Sequence, residues 1–441
     1  MRNLFRLIGR FRRDQRGNIA VIFAIATVPL ISAVGCAIDY SHAVQMQSKL
    51  QAAADAASVG SIAKTSAAYV AAGSMTSDGP IAAGATDATN IFNGNMADVT
   101  GYTLNSMSAT VTKTGSAVTS VVNFSGNVPA TFLGVMGMSS MTVTGSSTST
   151  ANMPQFIDFY LLLDNSPSMG VGATPADVTT MVNNTPDQCA FACHDLNNSN
   201  NYYNLAKTLG VTTRIDVLRL ATQNLMDTAT STQTYSSQFR MAIYDFGGSS
   251  DTQGLRALFA LSSSLSAAKT AAGGIDLMTV NGQNDNNDED TGFSTIFPQV
   301  NTLISAPGTG VSGSPLKYVF FVSDGVNDEQ NAGSCIKTTT SSGRCQSPID
   351  PSLCTTLKNR GIKIAVLYTT YLALPTNPWY MTWINPFNPG PYGPSTNSQI
   401  AQNMASCASP GLYFEVSPTQ GISTAMNALF QKAVADARIS R

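Results

Sequence analysis

Histidine is almost absent from this chain: His42 and His194 are the only two in 441 residues. Neither sits with a Ser, Cys or Lys at a spacing that would make a nucleophile and base, so the usual proton-transfer machinery lacks its parts. The phosphate cradle GxxxxGK(S/T) is missing as well, which removes a common route to magnesium-assisted phosphoryl transfer. The chain therefore reads as a non-enzyme. Charge is also scarce, at 11% of residues, with a net balance of −2.

What charge there is falls unevenly. Arg2, Arg6, Arg10, Arg12, Arg13 and Arg16 crowd the first sixteen positions, opposed only by Asp14. Setting these aside from the 24 basic and 26 acidic residues leaves 18 against 25, a balance of −7, which is no nucleic-acid surface. Directly after the arginines, Ile19 to Ile38 runs for twenty residues without a charge and ends at Asp39. That is the length of a bilayer-spanning helix, and Pro29 within it is tolerated in such helices. Basic residues stay in the cytoplasm, so the N-terminus is expected inside and everything after Asp39 exported. A cleaved signal peptide is the competing reading. The run is longer than a signal core and lacks a small-x-small exit before Asp39, so an anchor is preferred.

Seven cysteines fit export. Cys36 lies in the membrane run, leaving Cys189, Cys193, Cys335, Cys345, Cys354 and Cys407 as an even external set. Sequence neighbours suggest Cys189 with Cys193 and Cys335 with Cys345, which leaves Cys354 for Cys407. Cys189, Cys193 and His194 also have the look of a zinc site, but no second pair stands at finger spacing and disulfides are preferred.

The chemistry concentrates in FIDFYLLLDNSPSMG, Phe156 to Gly170. An apolar run of strand-forming residues, Phe159 to Leu163, delivers Asp164, Ser166 and Ser168 onto a turn, as a buried parallel strand does when it ends in a polar site. A plain Asn-Ser-Pro-Ser turn would use the same residues. One carboxylate and two hydroxyls at alternating positions also suit a hard divalent cation, Mg²⁺ or else Mn²⁺ or Ca²⁺. A second apolar run, KYVFFVSDG from Lys317 to Gly325, ends in Asp324, and open α/β sheets place ligands at the carboxyl ends of their strands.

DxSxS at the end of one such strand, with Asp324 at the end of another, resembles the metal-ion-dependent adhesion site of the von Willebrand factor type A family. The resemblance implies a doubly wound, mostly parallel α/β sheet. It implies direct metal ligation by Ser166 and Ser168, with Asp164 and Asp324 acting through water. The family's third direct ligand is a Thr before a helix, followed by apolar residues at the second, fifth and sixth positions. Thr291 fits, with Phe293, Ile296 and Phe297 in those places, and Thr295 is the runner-up. An acidic residue of a protein partner is implied as the group that completes the metal shell.

The N-terminal segment carries a second resemblance. Arg16 to Ser58 reads RGNIAVIFAIATVPLISAVGCAIDYSHAVQMQSKLQAAADAAS, with Arg-Gly-Asn, a Pro-containing apolar span, Ile-Asp-Tyr and a Leu-Gln-x-Ala-x-Asp-Ala-Ala tail. It is similar to the N-terminal segment of TadG-like proteins of the Tad (Flp) pilus assembly system. That implies a place in the bacterial inner membrane and partners among other pilus components. Pilin-like relatives are processed at a Gly with a Glu-Tyr pair; Gly17 is followed by apolar residues and no Glu, so processing is not expected.

These readings divide the chain as follows: a basic arm over 1–17, a transmembrane helix over 18–39 and a stalk helix over 40–72, the last built of Ala, Gln, Lys and Met. A small β-rich module follows over 73–152, where apolar and small polar residues alternate, and then a type A-like domain over 153–441. Within the module, PATFLGVMGM is expected as a short core element rather than a partner-binding loop. Insertions interrupt the large domain at 171–213 and 371–395. The second holds both tryptophans, and is either an interface or a loop packed on its own aromatics. NGQNDNNDED fails as an EF-hand loop, since no Gly stands sixth from Asp285, and reads as an acidic solvated loop. The functions that remain are a membrane-anchored pilus-assembly protein with a metal adhesion site, a pilus-independent adhesin or sensor, and a scaffold with a vestigial metal motif.

Overall fold

The computed structural model describes residues 16–192, 194–199, 201–282, 290–330, 335, 340, 343–371, 373–391, 395–416 and 421–439. Two compact units divide the chain, Met1–Met153 and Pro154–Arg441. The basic arm and most of NGQNDNNDED lie outside the described residues.

The first unit is organised by one long helix, α1, Arg16–Gly60, which passes through Pro29 without ending. Its first half exposes apolar residues all round, Ile22, Phe23, Ile25 and Val28 among them, and it is long and apolar enough to cross a membrane. Its second half behaves differently. Ala43, Met46, Leu50, Ala53 and Ala57 repeat at alternating steps of three and four, which puts them on one face of a helix, and all are buried. That face packs on an antiparallel sheet of β1, Thr103–Thr114, β2, Ala117–Pro129, and β3, Ser140–Asn152, to which Gly79–Pro80 adds a short edge. Val122, Phe124 and Val128 come from the sheet, and Phe92 from a helix over Ala82–Met96 completes the core. Gln47 and Gln51 donate to the carbonyls of Thr144 and Ser146 at 3.2 and 3.0 Å. Residues past Asp39 are thus not a free stalk. The alanines read above only as helix formers are small because the sheet comes close.

PATFLGVMGM also departs from expectation. It is no core element: Phe132, Met136 and Met138 are exposed around a 3₁₀ turn over Leu133–Met136. It is held by Asp39, whose carboxylate accepts the N–H groups of Thr131, Phe132 and Leu133 at 3.1, 2.7 and 2.8 Å.

The second unit is built on a six-stranded sheet. We number its strands β4, Ile157–Leu163; β5, Phe239–Gly247; β6, Gln253–Ser262; β7, Leu316–Ser323; β10, Lys363–Thr369; and β11, Tyr413–Val416. The order across the sheet is β11-β10-β7-β4-β5-β6, all parallel except the edge strand β6. Between β7 and β10 an antiparallel hairpin, β8, Val326–Gln330, and β9, Arg344–Pro348, leaves the sheet. Successive residues of β4 point to opposite faces, and both faces are covered, which is why its sequence is apolar without alternation. Phe159, Leu161 and Leu163 pack with Leu218, Leu225 and Phe430 on one side; Tyr160 and Leu162 pack with Phe297, Leu357 and Met404 on the other. This is the mostly parallel α/β arrangement that the type A resemblance implies. It starts at β4 and extends to both sides, so the reversal of strand order lies between β4 and β7, where open sheets form their ligand crevice.

One row of charges crosses the three central strands. Asp158, fully buried, takes the Arg240 guanidinium through both oxygens at 2.6 and 2.7 Å and the Lys317 ammonium from the other side. All three residues face one another in register, Asp158 with Arg240 and Asp158 with Lys317.

Among the described residues two disulfides are formed: Cys335–Cys345, as the sequence neighbours suggest, and Cys354–Cys407, the pair left over. The third expected pair is not: Cys189 is a free thiol, its sulfur accepting the Phe191 N–H at 3.4 Å within its own turn. Cys193 lies outside the described residues. Cys354–Cys407 spans 53 residues and ties together the helices Pro351–Asn359 and Gln399–Cys407. Replacing both cysteines by Ala is expected to remove about 2–4 kcal/mol of stability, on the scale of a native cross-link closing a loop of this length. The check is urea unfolding, where the midpoint should fall and the slope should rise, because the unfolded chain without the cross-link exposes more surface.

Candidate metal centre

Asp164 stands one residue past β4 and Asp324 one residue past β7, and the register sets Leu163 beside Val322, so both carboxylates emerge side by side. The backbone of Asp164 donates to Val322 O at 2.9 Å, which extends the ladder to the site. Beyond Asp324 the chain turns at Gly325, whose φ of +74° favours glycine and where a Cβ would lie 2.7 Å from Met404.

Both carboxylates are completely buried. Oδ1 of Asp164 accepts from the Ser166 N–H at 3.0 Å and the Ser166 hydroxyl at 2.6 Å, while Oδ2 accepts from Ser323 at 2.6 Å. The Ser166 and Ser168 hydroxyls lie 3.0 Å apart, and Ser168 stands near enough to Asp324 to help hold its carboxyl down. Asp164, Ser166, Ser168 and Asp324 therefore form one continuous cluster of oxygens. Asn165 fixes the turn from below, accepting the Phe246 N–H at 3.1 Å and donating to Gly247 O at 2.8 Å at the end of β5.

Burial pushes the Asp164 carboxyl up to about 7, and the neighbouring Asp324 charge pushes the same way against the bonds from Ser166 and Ser323. Asp324 is also raised by burial, with Arg214 opposing. Two carboxylates thus share a dry space in which positive charge is short. The cation paired here is Arg214, itself fully buried, with Nη1 3.3 Å from Asp324 Oδ2 and Nη2 donating to Thr370 O at 3.2 Å. The Tyr371 ring covers it, 5.1 Å from the guanidinium carbon. Arg214 opens the helix Arg214–Thr232, where the periodic pattern shows an amphipathic face but not that its first residue turns inward. Sequence reasoning missed it, and Ser323 and Asn165 with it, although Asn165 and Ser323 adjoin the motif aspartates in the sequence.

The loop threonine sits apart from this cluster's bonding. Thr291 is buried and paired through its backbone to Asp328, at 2.9 and 2.8 Å, while Thr295 lies on the exposed side of the helix Phe293–Leu303. Ser168 and Thr291 line the same cavity of about 620 Å³, and Thr295 does not. Its far wall is the second insertion. Tyr371 and Tyr380 are buried and stacked at 5.9 Å, so this part of the loop is packed on its own aromatics, while most of its other described residues are exposed or half-exposed. Trp379 is 38% exposed, bonded through Nε1 to Gln346 at 2.5 Å and covered by Arg344. Asp187, Cys189 and Phe191 bring the first insertion into the same wall. Burial raises the Cys189 thiol to about 11, which makes it a poor nucleophile. His194 rests against the Tyr203 ring, 5.0 Å between centroids. Among the described residues no group of three or more His, Cys, Asp or Glu could hold a metal. Any ion here would rely on hydroxyls, and a donor set of Asp, Ser and Thr oxygens fits Mg²⁺ or Mn²⁺ better than zinc.

Residues 17–63 match the family described as "Putative Flp pilus-assembly TadE/G-like". No curated protein matches the chain. Among solved structures, the vWF domain of the type V pili tip protein Mfa5 from Porphyromonas gingivalis aligns over 65% of this chain and 97% of its own. Identity there is 9% and the TM-score 0.36. The PilB minor pilin from Streptococcus sanguinis aligns over 76% of this chain and 77% of its own, at 11% identity and a TM-score of 0.32. Overlaps this loose carry no functional weight. The segment from residue 17 to residue 63 carries the TadE/G-like sequence of Flp pilus-assembly proteins, joined in one chain to a mostly parallel α/β unit.

Proposed function

We propose that this is a membrane-anchored pilus-assembly protein whose α/β unit grips a protein partner through a divalent cation. The N-terminal family match and the apolar half of α1 support the anchor and the pilus association. The basic arm favours an N-terminus in the cytoplasm of a bacterial inner membrane, with both compact units exported. Ser166, Ser168 and Thr291 would hold the ion directly, with Asp164 and Asp324 behind water. The ion would supply a Lewis-acid position for an acidic side chain of the partner, and another pilus component is the partner favoured here. The observation that carries this reading is the pair of buried carboxylates joined through Ser166 and Ser168 at the strand-order reversal. The aromatic wall would then exclude water from the contact and give it shape.

Arg214 favours a second reading. Its guanidinium already neutralises Asp324, so the cluster could serve as a metal-free structural knot in a scaffold. Thermal unfolding with and without Mg²⁺ or Mn²⁺ separates the two. At a hundredfold excess over the dissociation constant a bound ion should add about 2.7 kcal/mol, and Asp164→Ala should lose that gain. A wild-type chain indifferent to both ions would leave the scaffold reading standing. A pilus-independent adhesin would keep the metal response, but its deletion would leave pili intact.

The titration of Asp164 gives a separate check. Its folded pKa, about 7, lies above the ordinary 3.8, so the folded metal-free chain holds a proton that the unfolded chain releases between these values. That contribution is fully present below about pH 4 and is lost as pH rises through about 7. Metal-free protein should therefore lose stability across this window. Added Mg²⁺ should restore it near neutrality and have progressively less effect toward acid, where the proton competes; parallel melting curves with and without the ion read this directly.

A further inference from the structure

The turn between β2 and β3 does not resemble the rest of its unit. Phe132 is 38% exposed, Met136 63% and Met138 53%, although no residue from Thr114 to Ile157 carries a charge. A soluble turn of this length would be expected to hide such side chains or use polar ones. Instead the structure fixes them in the open, against the last apolar turns of α1. The Phe132 ring lies so close to Gly35 that a Cβ there would fall 2.4 Å from it, and the Met136 sulfur lies 3.9 Å from that of Cys36. Between turn and helix runs an almost wholly apolar groove of about 350 Å³, lined by Leu30, Ile31, Val34, Gly35, Ile38 and Phe132.

The depth of the turn follows from helix geometry. Twenty uncharged residues, Ile19 to Ile38, cover about 30 Å, the thickness of a bilayer's hydrocarbon core. Gly35 lies about one helical turn, or about 5 Å, inside the end of that run. A side chain packed against Gly35 is therefore at acyl-chain depth whenever the helix spans. Asp39, at the end of the run, meanwhile accepts all three N–H groups of Thr131, Phe132 and Leu133, which would otherwise need water.

We propose that residues 130–139 form a second membrane contact, with Phe132, Met136 and Met138 inserted among the acyl chains of the leaflet where α1 leaves the bilayer. This rests on the reading of α1 as a membrane span. The occupant of the groove is lipid, because the groove is continuous with the lipid-facing surface of the helix and offers no polar group. Asp39 is the depth stop: its carboxylate stays at the boundary and satisfies the backbone of the dipping turn. The insertion depth matches that of interfacial apolar segments, about 5–10 Å.

The test uses the full chain in phosphatidylcholine–phosphatidylglycerol vesicles containing lipid brominated high on the acyl chain. Met136→Trp, at an exposed position, and Val28→Trp, mid-helix, are each compared with the parent chain, whose Trp379 and Trp383 lie in the other unit and give the baseline. The expected result is a blue-shifted added emission from Met136→Trp that is mostly lost with brominated lipid. Quenching of Val28→Trp but not of Met136→Trp overturns the second contact and leaves the anchor. A blue-shifted Met136→Trp emission that bromine does not touch overturns it in favour of a protein neighbour, such as a second copy of the chain. If neither added tryptophan is quenched, the membrane reading of α1 falls and the inference with it.

Discussion

The α/β unit depends first on a register. Asp158 is locked between Arg240 and Lys317 on the strands to either side, and a buried carboxylate with two cations cannot slip by a residue without leaving charges unpaired. A slip of one would also exchange the two faces of a strand that is apolar on both. Fixing that row at the amino ends of β4, β5 and β7 fixes what happens at their carboxyl ends about six residues on, at the rise of a strand. Asp164 and Asp324 meet because of it. The ion pair at one edge of the sheet therefore sets the geometry of the oxygen cluster at the other.

The two ends treat charge in opposite ways. At Asp158 cations outnumber the carboxylate, and the row is satisfied. At the oxygen cluster the Arg214 guanidinium pairs with Asp324 alone, while Asp164 is met by hydroxyls and an N–H and its carboxyl is pushed up by burial. In a chain with so few charges, leaving a dry pair of carboxylates short of a counter-charge is costly unless something positive arrives.

Local signals made the central strands legible. Phe159 to Leu163 and Tyr318 to Val322 are apolar without alternation because both faces of the sheet are covered, and each ends in a carboxylate. The disulfide Cys335–Cys345 followed from neighbour relations, and Cys354–Cys407 was the pair that remained. What stayed hidden depended on tertiary approach. Arg214 looks like any helix-opening cation until Tyr371, from an insertion far along the chain, closes over it. Cys189 is a free thiol, and its expected partner Cys193 lies outside the described residues. The alanines from Ala43 to Ala57 read as helix formers, since nothing local tells that a sheet lies against them. PATFLGVMGM looked like core because it is apolar; the structure keeps it outside and ties it to Asp39.

The continuity of α1 has a mechanical consequence. The same rigid rod is apolar on every side over one half and is the core of a four-stranded sheet over the other, with no joint at Asp39 to absorb motion. A pull or torque on that sheet cannot be taken up by a flexible linker and must appear as tilt or rotation of the rod. Within the first unit, a load on the sheet therefore passes straight into the helix that it packs on.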